Sequence, residues 1–133
     1  MSIPDILRDS KTIAVVGLSN DQTRPAYSVT AYMQRAGYRI IPVNPDVTEV
    51  LGEKAYPDLV SIPEPIDVVN IFRRPENVPA VVEDAIAAGA KVIWMQQGIR
   101  HEAAAEKARG AGLEVVMDRC IRTEHQRLLA MGG

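Results

Sequence analysis

The chain has 133 residues, the size of a single domain (1–133) with one core, and 47% of them are hydrophobic, a globular proportion. A formal net charge of −2 argues against a nucleic-acid or membrane-surface binder, and an aromatic content of 5% offers no stacking platform for single-stranded nucleic acid. No apolar run reaches the ~18 residues a membrane span needs, Met1 to Asp5 carry no signal-peptide pattern, and Cys120 is the only cysteine, so the expected location is the reducing cytoplasm.

Residues 3–10 read as a short amphipathic helix. Ile13 to Val16 form a continuous β-branched apolar run, the pattern of a parallel strand covered on both faces. Gly17, Leu18, Ser19 and Asn20 follow as a tight turn. Arg24-Pro25 then opens a helix in which Ala26, Val29, Met33 and Ala36 share a face, and Gly37 stops it. Residues 38–43 are a second strand. Pro42 lies inside it, so its N–H side must face away from a partner strand or lie at an irregularity. Asn44-Pro45 ends this strand.

Residues 46–65, rich in Pro and Gly, are expected to be a loop with a weak edge strand and one helical turn. Residues 66–72 form the next strand, with Phe72, Arg73 and Arg74 at its end. Pro75 opens a helix striped by Val78, Val81, Val82, Ala85 and Ile86. A strand over 91–95 leads to the turn Gln96-Gln97-Gly98. A helix over 100–111, a strand over 113–117, the turn Asp118-Arg119-Cys120 and a helix over 121–129 complete the chain. The alternation of strands and helices predicts a three-layer, Rossmann-like, doubly wound and mostly parallel α/β sheet.

Such sheets bind ligands beyond the carboxyl ends of their strands. The first turn, at the N-terminus of a helix, makes an anion site. It is not a dinucleotide fingerprint: Gly17 is present, but Ser19 and Gln22 stand where G-x-G-x-x-G has its later glycines. The second strand ends in Asn44-Pro45, without the carboxylate that grips the ribose of NAD. Arg24, Arg73 and Arg74 should gather near this edge, where guanidinium groups bind phosphates in bidentate fashion. A ligand with several phosphates fits better than NAD. An NAD(P)-binding enzyme or redox sensor is the alternative, and a structural or regulatory subunit that needs no ligand is a third class.

Among the reactive side chains, Cys120 could face a ligand and act in redox sensing, or pack under the last helix. Cys120 and His125 could form a nucleophile pair in principle, although one Cys and one His fall short of a zinc set. His101-Glu102-Ala103-Ala104-Ala105 lacks the second histidine of H-E-x-x-H.

Gly17-Leu18-Ser19, Val43-Asn44-Pro45, Gln97-Gly98-Ile99 and Asp118-Arg119-Cys120-Ile121 occur in this order at the strand ends. With these motifs the chain, from Ile6 to Leu129, resembles the small stand-alone CoA-binding domain proteins, relatives of the CoA-binding domain of the succinyl-CoA synthetase α subunit. The resemblance implies coenzyme A, free or acylated, as the ligand. It implies that Gly17, Leu18, Ser19, Asn20 and the helix start near Ser28 hold the pyrophosphate, with Arg24 on a phosphate. Val43, Asn44 and Pro45 would line the adenosine side, flanked by Phe72, Arg73 and Arg74, and Gln97 and Gly98 would approach the pantetheine arm. In the synthetase, catalysis runs through a phosphorylated histidine beyond this domain, and these 133 residues show no such region. The expectation is therefore a non-catalytic binder with no metal, compatible with a homodimer or an unidentified protein partner.

Overall fold

The computed structural model describes residues 1–132. The chain begins with helix α1 (Ile3–Asp9), whose N-terminus is closed by a capping box: Ser2 Oγ accepts from the Asp5 N–H, and the Asp5 carboxylate accepts from the Ser2 N–H. Then follow β1 (Thr12–Val16), α2 (Pro25–Arg35) and β2 (Arg39–Val43). Two short strands, β3 (Glu49–Val50) and β4 (Glu53–Lys54), precede β5 (Val68–Ile71). A 3₁₀ turn (Pro75–Asn77) leads into α3 (Val78–Ala87), then β6 (Val92–Met95), α4 (Glu102–Gly110), β7 (Glu114–Val116) and α5 (Ile121–Ala130).

The main sheet has five strands in the order β2-β1-β5-β6-β7, and every pairing in it is parallel. The expected α/β architecture is thus present, with its strand order reversing between β1 and β5. That reversal is the switch point at which ligands collect in open sheets. Alternation along β1 divides the core. Ile13 and Val15 pack with the buried side chains of α1, α2 and α5, whereas Ala14 and Val16 pack with those of α3 and α4. Both faces are covered, which is why Ile13 to Val16 read as uninterrupted apolar sequence.

Pro42 fits the edge position of β2. Residues 39 and 43 bond toward β1, since the Arg39 N–H donates to Lys11 and Val43 O accepts from the Gly17 N–H. Pro42 therefore presents its nitrogen to the outer edge, where no donor is required, and its carbonyl accepts from the Tyr56 N–H at 3.0 Å.

Residues 46–65 differ from the expectation of a weak edge strand. β3 and β4 pair antiparallel with each other as a separate hairpin, and only Tyr56 bridges to the main sheet, beside Val43. The hairpin loop is Leu51-Gly52, with φ of 54° and 77°. Arg39 clamps this region to β2 by pairing with Glu53 on β4 and with both carboxylate oxygens of Glu64. At the same, amino end of the sheet Asp67 ties β5 to β1, its Oδ2 accepting from the Lys11 N–H at 2.8 Å and the Thr12 N–H at 3.0 Å.

Candidate functional site

Gly17 marks the switch point. Its N–H continues the ladder to Val43 O, and the Phe72 N–H reaches back to Val16 O. Its φ is +94°, and a Cβ built on it would lie 2.3 Å from the carbonyl oxygen of Phe72. The glycine is therefore required by the approach of two strand ends, and the Cβ direction points at protein rather than at open space. This closeness holds the β1 turn against the β5 end and shapes the groove beside them.

That groove, about 320 Å³, is walled by Gly17, by Arg24, Pro25 and Ala26 at the start of α2, by Phe72, Arg73, Arg74 and Pro75 after β5, and by Ile99 after β6. No side chain caps the N-terminus of α2, because Arg24 in the capping position makes no such bond. The positive end of the helix dipole thus faces a groove walled by three arginines. Arg24 is 74% exposed and lies 3.5 Å from Asp21. Among the described residues no carboxylate lies within ion-pair distance of Arg73 or Arg74. Their charge is uncompensated at close range, which favours an anion.

Two further cavities flank this groove along the carboxyl edge. One, about 230 Å³, lies between the ends of β1 and β2 and the body of α3, with Val16, Val43, Pro45, Leu59, Val81 and Asp84 among its walls and Arg73 shared with the groove. The other, about 200 Å³, lies beyond β6 and β7 and is lined by Gln97, Asp118, Arg119, Cys120, Thr123, Glu124 and Arg127. Gly17, Arg24, Val43, Pro45, Phe72, Arg73, Arg74 and Gln97 are thus spread over one continuous edge.

The remaining candidates serve the scaffold or its margin. Leu18 is fully buried in the core. Asn44 clamps the first two turns: its amide donates to Leu18 O at 3.2 Å, and its Oδ1 accepts from the Asp46 N–H at 2.9 Å. The Asn20 amide holds the hairpin through Glu49 O. Ser19 Oγ accepts from the Asp21 N–H, and Ser28 Oγ donates to Pro25 O. The Gly98 N–H donates to Asp118 Oδ1 at 2.7 Å, joining the turns after β6 and β7. Sequence reasoning missed Asp58, Leu59, Val81, Asp84, Thr123, Glu124 and Arg127 as wall residues. They come from helix interiors and from the irregular segment, where spacing gives no sign of facing the edge.

Cys120 is half-buried at the N-cap of α5. Burial pushes its thiol up, but hydrogen bonds from the Thr123 and Arg122 N–H groups and from the Gln96 and Thr123 side chains outweigh this and hold it below the usual thiol range. Gln96 is itself anchored beneath, its Oε1 accepting from the Ile121 N–H at 2.9 Å. His125 faces elsewhere. Its Nδ1 is 2.8 Å from Tyr32 Oη, and its ring packs edge-on against Tyr32 and Tyr38. Burial lowers its pKa, which favours the neutral ring accepting from the Tyr32 hydroxyl. The Cys120–His125 pair is therefore split between two surfaces. His101 is an N-cap, its Nδ1 accepting from the Ala104 N–H. Among the described residues no three His, Cys, Asp or Glu side chains are placed to share a metal ion, and no helix is long and apolar enough to cross a membrane.

The sequence and the fold both match known proteins. The chain is 48% identical over 123 residues to the uncharacterized protein YneT of Bacillus subtilis, covering 92% of this chain and 91% of that one. A solved structure of a hypothetical protein from Pyrococcus horikoshii is 43% identical, with a TM-score of 0.92, covering 97% of this chain and 93% of that one. The ADP-forming acetate–CoA ligase II of Archaeoglobus fulgidus is 33% identical over 95 residues, which are 68% of this chain but 14% of the ligase. A family model described as a CoA binding domain matches residues 11–126, and the chain belongs to that family.

Proposed function

We propose that this protein binds coenzyme A along the carboxyl edge of its sheet and performs no reaction on it. The observation that carries the reading is the groove at the switch point, where Arg24, Arg73 and Arg74 surround the uncapped start of α2. Coenzyme A has a pyrophosphate and a ribose 3′-phosphate, so it needs several cations and no diol-gripping carboxylate. Asn44, at the end of β2, supports this choice over NAD, since its amide is spent on Leu18 O and the Asp46 N–H.

The pyrophosphate lies over the Gly17–Asn20 turn and the first turn of α2, with Arg24, Arg73 and Arg74 as its cations. The adenosine lies on the Val43–Pro45 side, in the cavity that shares Arg73. The pantetheine arm runs toward Gln97 and Gly98. The separation of Cys120 from His125, which is bonded to Tyr32, supports a binding role over nucleophilic catalysis.

Thermal shift with coenzyme A and with NADP tests the reading. Ligand at about 100 times its Kd stabilises by ~2.7 kcal/mol, which coenzyme A should do. A shift with NADP and none with coenzyme A refutes it.

A further inference from the structure

We infer that the cavity beyond β6 and β7 receives the thiol end of coenzyme A, and that its polar walls select the free thiol or a short polar acyl group against long aliphatic acyl chains. The inference rests on the coenzyme A reading above. Its direction follows from the sheet. In open α/β sheets the adenosine half of a nucleotide lies toward the strand paired outside the first, here β2, and phosphates lie at the first turn. The remaining arm must then run the other way, across β5 to β6 and β7.

The walls there are Gln97, Arg119, Thr123, Glu124 and Arg127, with Asp118 and Cys120, and no aliphatic residue lines the cavity. The apolar walls of the carboxyl edge lie elsewhere: Val43, Leu59 and Val81 on the adenosine side, Phe72 and Ile99 in the groove of the phosphates. An acyl chain leaving the thiol would meet charged side chains and water. Its methylenes would gain none of the transfer free energy that apolar burial provides. Donor-bearing side chains do line the cavity, since Gln97, Arg119, Thr123 and Arg127 are among its walls. A thiolate or a carbonyl oxygen suits this surrounding, and a hydrocarbon does not.

The experiment is a calorimetric titration with coenzyme A, acetyl-, butyryl- and octanoyl-coenzyme A. Burial in an apolar site tightens binding by roughly fourfold per methylene, so six added methylenes would give on the order of 10³-fold. The inference predicts affinity that is flat or falling from acetyl to octanoyl. Progressive tightening overturns it, while failure of coenzyme A itself to bind overturns the coenzyme A reading instead. The double variant Glu124→Leu/Arg127→Leu, which removes both members of one ion pair, should tighten octanoyl-coenzyme A at least tenfold relative to coenzyme A. An unchanged ratio in a folded double variant refutes the assignment of this cavity to the thiol end.

Discussion

Gly17→Ala isolates the contact on which the edge is built. The new methyl would meet the Phe72 carbonyl oxygen at 2.3 Å and its carbon at 3.2 Å. Both are backbone atoms, held by the Gly17–Val43 and Phe72–Val16 hydrogen bonds, so neither can rotate away. A side chain at φ +94° costs about 1–2 kcal/mol, and forcing two packed strand ends apart adds about 1–3 kcal/mol. The lower entropy of the unfolded alanine chain offsets ~0.4–1 kcal/mol. The net loss is about 2–4 kcal/mol, a drop in Tm of roughly 6–20 °C at this length. Gly89→Ala is the control: its φ is +74°, but nothing lies within 4 Å of the added methyl, so it bears the strain without the collision. Chemical denaturation of both variants decides the matter. If Gly17→Ala loses no more than Gly89→Ala, the contact at Phe72 does not limit this position and the reasoning fails.

Arg73→Ala, which alters two cavities at once, should weaken coenzyme A about 5–30-fold by calorimetry, a charge-assisted phosphate contact discounted for exposure. Arg24→Ala should cost only about 2–5-fold, because Arg24 is 74% exposed and shared with Asp21. Asp67→Ala strands the Lys11 and Thr12 N–H groups and should cost ~1–3 kcal/mol in denaturant melts. Burial raises the Asp67 pKa, but those two N–H groups and Lys91 lower it overall. Its contribution is thus complete above the ordinary carboxylate pKa of ~4 and disappears as pH falls through the lower folded value, a decline Asp67→Asn should remove. His125 has the other pH signature. As pH falls below about 6.5 the unfolded histidine takes a proton that the buried ring resists, so Tm should fall from there toward the lower folded pKa. His125→Phe should flatten that slope.

The doubly wound sheet was legible because each of its central strands is buried on both faces. Ile13–Val16 and Val92–Met95 show this as unbroken apolar runs, and Gly37, Gly89 and Gly112 punctuate the helices between them. The β3–β4 hairpin was not legible. Two-residue strands cannot display period-two alternation, and Glu49, Glu53 and Lys54 read as loop. Its turn also lacks the usual sign, since Leu51 holds a positive φ where Asn or Asp is expected, tied down by Gln34 Nε2 on its carbonyl. At the site, Gly17, Arg24 and Arg73 were readable because turn chemistry and charge are local signals. Leu18, Asn20 and Asn44 stand in the same motifs, yet their side chains go to the core or to hydrogen bonds inside the fold. Sequence order shows that a turn lies at the edge but not which way each side chain leaves it.

Calorimetric titration of the purified protein with coenzyme A, at low and at physiological salt, tests the central claim most directly. The account predicts one site per chain, with affinity that falls as salt rises because guanidinium–phosphate contacts carry it, and that falls further for coenzyme A lacking its 3′-phosphate. No saturable heat with coenzyme A at either salt concentration, or tighter binding of NADP, would contradict it.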